Sequence, residues 1–235
     1  MGISKKKLNK TQVYEILDKL EKLYPEAGCE LNFNTPFQLL VATMLSAQST
    51  DKSVNKVTDK LFQLYPEVDD FLSLTQAQLE EHIKSIGLYR TKSSNIIRMC
   101  KEIKTRFNGK VPDSMEDLLS LPGVGRKTAN VVLSNAFGIP AIAVDTHVYR
   151  VSNRIGLATA NDVGETEKQL MDAIPMEKWS KAHHLLIWHG RRMCMARNPK
   201  CTQCPLKPLC MFYNREKKKY LIKLKQYTLL KRILR

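Results

Sequence analysis

Apolar residues recur along this chain at spacings of three and four, the period of an amphipathic helix. Val13, Ile16, Leu17, Leu20 and Leu23 mark one face of a segment that starts near Thr11 and is ended by Pro25. Thr35-Pro36-Phe37-Gln38 joins a capping threonine, a proline at the first helical position and a glutamine two residues later. It predicts a helix through Leu39, Leu40 and Met44 to about Ser46. After the polar turn Ala47-Gln48-Ser49-Thr50, the positions Val54, Val57, Leu61 and Leu64 predict another, closed by Pro66. Thr75 to Gln78 repeats the capping pattern, and Leu79, Ile83 and Ile86 carry that helix to Gly87. Ile96, Ile97, Cys100, Ile103 and Phe107 predict the next, ending at Asn108-Gly109. No segment sustains the alternation of a strand, so the expected fold class is all-α, built of short helices with brief connections.

Chemistry concentrates between Leu121 and Arg150. Ser114 with Asp117 three residues on starts a short helix that ends at Pro122. Gly123-Val124-Gly125 is then a tight turn whose two glycines allow positive φ and a close approach to another surface. The following helix, through Ala129, Val132, Leu133 and Ala136, stops at Gly138 with Pro140 beyond. Free N–H groups at such a turn and helix start suit a phosphate. A nucleotide-binding P-loop is excluded, because Arg126 precedes Lys127 where that motif needs glycine, and the segment upstream is helical rather than a strand.

Lys127 falls in the first turn of this helix, where the positive end of the dipole and the neighbouring Arg126 both disfavour an ammonium. It is a candidate nucleophile as well as an ordinary surface lysine. Asp145 follows the apolar run Ala141 to Val144 and reads as an N-cap, a role compatible with a carboxylate that faces a cleft. His147, two residues on, is a candidate site contact. His183, His184 and His189 lack the pattern of a zinc hydrolase and are expected to pack or lie at the surface.

Four of the six cysteines fall within seventeen residues, as Cys194-x6-Cys201-x2-Cys204-x5-Cys210. A disulfide pair is unsuited to a reducing cytosol, which leaves four thiolate ligands. Structural zinc commonly uses two separated Cys-x2-Cys pairs, whereas one pair inside a single compact loop suits a four-iron four-sulfur cluster. Arg197 and Lys200 lie between the first two cysteines, on a loop whose charge suits the phosphates of a polyanion. Cys29 and Cys100 have no such spacing and read as core thiols.

The 235 residues carry a net charge of +15, which points to a polyanionic partner. Nine Lys/Arg against one Glu lie from Arg215 to Arg235, so more than half of that excess sits in a basic tail. The tail reads either as a basic amphipathic helix or as a solvated extension. Neither a signal peptide nor a run of the roughly 20 apolar residues of a membrane span is evident. The expected setting is cytoplasmic and nucleoid-associated.

LPGVGRKTANVV followed by AVDTHVYR, with the cysteine loop, resembles the helix-hairpin-helix DNA glycosylases, and among them the endonuclease III family, from about Thr11 to Tyr213. The resemblance implies a six-helix domain over 29–139, an iron–sulfur domain formed by 1–28 with 140–214, a catalytic cleft between them, and a departure from the family in the tail 215–235. It implies that Lys127 is the nucleophile, Asp145 the catalytic carboxylate, and Gly123 and Gly125 with Arg126 the phosphate-binding hairpin. Gln48 and Leu88 fall where the family inserts residues into the duplex, one as filler and one as wedge, and the four cysteines where it holds one four-iron four-sulfur cluster. The implied activity is that of a monomeric bifunctional glycosylase and abasic-site lyase on oxidised pyrimidines in duplex DNA. Two other readings remain. The adenine-specific branch typically lacks the lysine and carries a further C-terminal domain, and a non-catalytic iron–sulfur DNA-binding protein would make Lys127 and Asp145 incidental.

Overall fold

A computed structural model of the chain describes residues 8–218, and among them there is no strand. Residues 1–7, and the basic tail from residue 219 onward, lie outside the described residues. Several helices begin where a polar side chain closes the first turn. α1 (Lys10–Leu23) starts at a reciprocal capping box between Asn9 and Gln12. α2 (Pro36–Leu45) starts at Thr35, whose hydroxyl accepts from Gln38 N at 3.2 Å. Here the glutamine reaches one residue further back than a capping box requires, accepting from Asn34 N at 2.9 Å. α3 (Asp51–Leu64) follows Thr50, α4 (Val68–Leu72) follows Glu67, and α5 (Gln76–Ile83) follows the Thr75–Gln78 box. α6 (Tyr89–Arg106), α7 (Met115–Ser120) and α8 (Arg126–Ala136) complete the first group. α9 (Thr146–Ile155), α10 (Val163–Ala173) and α11 (Trp179–Arg192) follow, and residues 211–218 are helical.

The chain divides into two compact units, one of residues 28–143 and the other of residues 1–27 with 144–235. The first carries α2 to α8. The sequence pattern marks six of these helices, and α4 is the addition, a five-residue turn too short to show a period. α2 is apolar on every side and almost wholly buried, with α3, α6 and α8 packed around it. Leu39, Leu40 and Leu45 of α2 join Leu61, Phe71, Leu79, Ile96 and Val132 in one continuous core.

In the second unit α1 returns to α11, and α11 packs on α9, which also meets α10. Val13, Ile16, Leu20, Val148, Val151, Leu170, Leu185 and Leu186 are buried there. The approach of α11 to α9 depends on Gly190, since a Cβ at that position would lie 3.0 Å from His147 Cβ and 3.1 Å from Val151 Cγ2. No helix among the described residues is long and apolar enough to cross a membrane.

Candidate functional site

In the first unit, α7 is capped at its start and the turn that leads to α8 closes on itself. Ser114 Oγ accepts from Asp117 N at 3.1 Å, and Val124 N donates to Leu121 O at 3.1 Å. Gly123 takes φ +77°, and a Cβ on it would stand 2.9 Å from both Asn95 Cβ and Met44 Cε. Of the two glycines expected to allow positive φ, Gly125 does not use it. It caps α8 at φ −100° and ψ 172°, with nothing within 4 Å of an added Cβ. The first glycine therefore serves packing, and the second faces open space beside the first-turn amides of α8. Arg126 and Lys127 are the first two residues of α8, and both side chains are exposed.

The helices against which Gly123 packs, α2 through Met44 and α6 through Asn95, are also those whose ends carry Gln48 and Leu88. Both of these residues have φ of 58°. Among the described residues the two other non-glycine residues with positive φ are Asn108 and Asn198, a type that tolerates the left-handed region, whereas Gln48 and Leu88 belong to types that do not. They are neighbours, since a Cβ built on Gly87 would lie 3.9 Å from Gln48 O. Leu88 is 58% exposed and forms the N-cap of α6 rather than a contact closing the end of α5.

In the second unit Asp145 is the N-cap of α9, as its position suggests. Oδ1 accepts from His147 N at 2.8 Å and from Val148 N at 2.7 Å, which leaves Oδ2 uncommitted to the cap. His147 is half-buried, with Nδ1 3.2 Å from Arg150 Nη2. Burial lowers its pKa, Asp145 opposes that, and Arg150 and Arg191 reinforce it. Arg150 and Arg154, one turn apart on α9, reach the cysteine loop. Arg150 donates to the carbonyls of Cys194 and Gly190, and Arg154 donates to Met195 O at 2.7 Å and Ala196 O at 3.0 Å, with Nη1 3.6 Å from Cys194 Sγ. The helix capped by Asp145 and the loop are thus braced together.

Cys194, Cys201, Cys204 and Cys210 are free thiols that line one recess. Burial raises the pKa of Cys201 and Cys210 and pushes Cys204 up to about 11. Such thiols would stay protonated at neutral pH unless a cationic centre took them as ligands. Among the described residues no three groups converge closely enough to hold a single metal ion. Four thiols lining one recess can supply the four thiolate ligands of an iron–sulfur cluster, one to each iron. Arg197 and Lys200 are exposed on the same loop.

Sequence reasoning missed two partners of this centre. His189, whose ring is wholly buried, has Nε2 3.6 Å from Cys204 Sγ, and the Tyr24 hydroxyl lies 3.2 Å from its Nδ1. Burial lowers the His189 pKa to about 4 and raises that of Tyr24 to about 12. With the phenol protonated and the imidazole neutral, the tautomer in which Tyr24 donates to Nδ1 is the one that turns the Nε2 hydrogen towards the sulfur. The available signal was a histidine five residues before the first cysteine. It identifies nothing without the turn that brings Cys204 back to α11.

A helix-hairpin-helix in one unit and a four-thiol loop in the other define an iron–sulfur member of the helix-hairpin-helix repair proteins. Residues 41–176 match the model of the HhH-GPD superfamily base excision DNA repair proteins, and residues 194–210 that of the iron–sulfur binding domain of endonuclease III. Endonuclease III of Bacillus subtilis (strain 168) is 51% identical over 217 residues, or 92% of this chain and 99% of that protein. The structure of a non-covalent endonuclease III–DNA complex is 49% identical, with a TM-score of 0.85 over 90% of this chain and 99% of the other. That of a trapped endonuclease III–DNA covalent intermediate is 49% identical, with a TM-score of 0.84 over 89% and 99%. The chain belongs to the endonuclease III family, and one four-iron four-sulfur cluster is its cofactor.

Proposed function

We infer that this protein is a base-excision repair enzyme, a bifunctional DNA glycosylase and abasic-site lyase that removes oxidised pyrimidines from duplex DNA. The observation that carries this reading is the covalent chemistry of the relative trapped on DNA, 49% identical, together with an exposed lysine at the second position of the hairpin helix. The damaged nucleotide is extruded because its anomeric carbon is shielded within the stack. Gln48 fills the vacated space and Leu88 holds the stack open. Gly123, Gly125 and Arg126 of the hairpin, with His147 and with Arg197 and Lys200 of the cysteine loop, meet the backbone.

The neutral Lys127 amine attacks the anomeric carbon, and the base departs with the electrons of the glycosidic bond and takes up a proton. Loss of a proton from the nitrogen and opening of the sugar give the imine. Removal of a proton from the adjacent carbon then expels the 3′ phosphate by β-elimination. Asp145, held by two backbone donors through Oδ1, stabilises positive charge on the sugar or assists deprotonation of the lysine. When bound, the cluster supplies four iron–thiolate bonds that hold residues 194–210 in one conformation. Action on chromosomal DNA would place the protein in the cytoplasm at the nucleoid.

Borohydride trapping tests the reading. The protein incubated with duplex containing thymine glycol or an abasic site should become irreversibly linked to it as the imine is reduced. Lys127→Gln should abolish the link and strand cleavage while keeping duplex affinity. Asp145→Asn should still bind, with base release slowed on the order of 100-fold. Undiminished trapping by Lys127→Gln would place the nucleophile elsewhere, and failure of the unaltered protein to trap would favour the non-catalytic reading.

A further inference from the structure

Lys92 lies on the buried stripe of α6, in register with Ile96, Met99, Cys100 and Ile103, and is only 7% exposed. Lysine is almost never found there without a partner. Its ammonium donates to two backbone carbonyls, Leu45 O at 2.8 Å and Ala47 O at 2.6 Å. The first is the last residue of α2, where carbonyls lack helical partners and the helix dipole is negative. The second immediately precedes Gln48. Among the described residues no carboxylate pairs with the cation, and burial pushes its pKa down.

Helix α6 brings the lysine to this point one turn after Leu88, whose carbonyl accepts from Lys92 N at 3.0 Å. One side chain therefore ties the turn that carries Gln48 to the turn that carries Leu88. These are the two residues held in a left-handed backbone that their types disfavour. Such conformations persist only where the surroundings over-determine them, and a methionine of similar length would fill the same space in the core without holding either turn.

We propose that Lys92 is a positioning residue that locks the Gln48 and Leu88 turns into one preformed element for entering the duplex. The proposal rests on the reading of Gln48 and Leu88 as filler and wedge. In the apo protein the two tips already hold the geometry needed beside an extruded nucleotide, so that ordering them does not draw on the binding energy of damaged DNA.

The test uses the full-length cluster-loaded protein and a thymine glycol duplex with 2-aminopurine beside the lesion, whose fluorescence reports unstacking. Lys92→Met should bind undamaged duplex as the unaltered protein does. It should lose most of the fluorescence change and slow single-turnover excision roughly 10- to 100-fold, the range expected when a positioning contact is lost. Adding Leu88→Ala or Gln48→Ala to Lys92→Met should cost less than either change costs alone, because the lock and the tips act as a unit. Lys92→Arg, which returns a cationic donor, should recover several-fold of the lost rate. It also provides the measurement if the methionine variant does not fold.

A purely structural role would appear as a loss matched by Ile103→Val, a core change on the same helix, at equal melting temperature. That result, wild-type excision by Lys92→Met, or strict additivity with both tip variants would overturn the proposal. If Gln48→Ala and Leu88→Ala leave both fluorescence and excision unchanged, the filler-and-wedge reading fails first and takes this one with it. If those two variants are impaired and Lys92→Met is not, only the positioning role fails.

Discussion

At the scale of single residues, the two glycines of the hairpin have opposite reasons to be glycine. Gly123 combines φ +77° with a space already occupied by Asn95 Cβ and Met44 Cε, of which only the methionine tip can move aside. Gly123→Ala should therefore destabilise the protein by about 1–3 kcal/mol, seen as a lowered urea or thermal midpoint. Gly125→Ala meets no neighbour within 4 Å and no backbone strain at φ −100°. Its midpoint should stay within about 0.5 kcal/mol of the parent, while DNA affinity falls if a phosphate passes over the first turn of α8. A stable Gly125→Ala with undiminished affinity would remove that glycine from the DNA contact, and an equally stable Gly123→Ala would contradict the packing argument.

At the scale of elements, α11 couples the acid stability of its unit to partly desolvated imidazoles. His184 packs against the His183 ring with centroids 4.0 Å apart, and burial, reinforced by Lys181, lowers its pKa from 6.5 to about 4. A histidine whose folded pKa is depressed binds its proton more readily when unfolded. Its contribution is complete above the unfolded pKa and is lost as pH falls from about 6.5 towards 4. At pH 5 the loss from this one residue should be about 2 kcal/mol, at about 1.4 kcal/mol per unit. The difference in unfolding free energy between the unaltered protein and His184→Leu should shift by that amount between pH 7.5 and pH 5, to the advantage of the variant. Parallel pH profiles for the two proteins would show that His184 is protonated without penalty in the fold.

For the whole molecule, charge decides how firmly DNA is held rather than what is done to it. Residues 219–235 contain six of the 38 Lys/Arg and no acidic residue. Removing them should weaken duplex binding and flatten the dependence of log affinity on log salt, because fewer counterions are released. Single-turnover excision at saturating enzyme should change by less than about 2-fold, since none of the residues assigned to the chemistry falls in this stretch. A large fall in that rate would assign the segment a part in shaping the site.

The features legible in the sequence were those whose partners lie a few residues away. The Thr35, Thr75 and Asp145 caps, the hairpin between two helices and the cysteine spacing each express a bond or a turn completed locally, and the helical period along α1 to α3 and α6 follows from one buried face. Composition and period could not show that Lys92 is buried against the end of α2, that the Tyr24–His189 pair reaches Cys204, or that Gly123 and Gly125 differ in purpose. Lys92 occupied a core register in plain view, but a lysine is read as solvated until the carbonyls that receive it are known, and those lie 45 and 47 residues earlier in the chain. The sequence by itself determined which segments are helical and which residue types could carry the chemistry, because those depend on local backbone and side-chain geometry. The tertiary structure alone decided which of them are buried, braced or strained, because burial and long-range hydrogen bonds exist only once distant segments have packed.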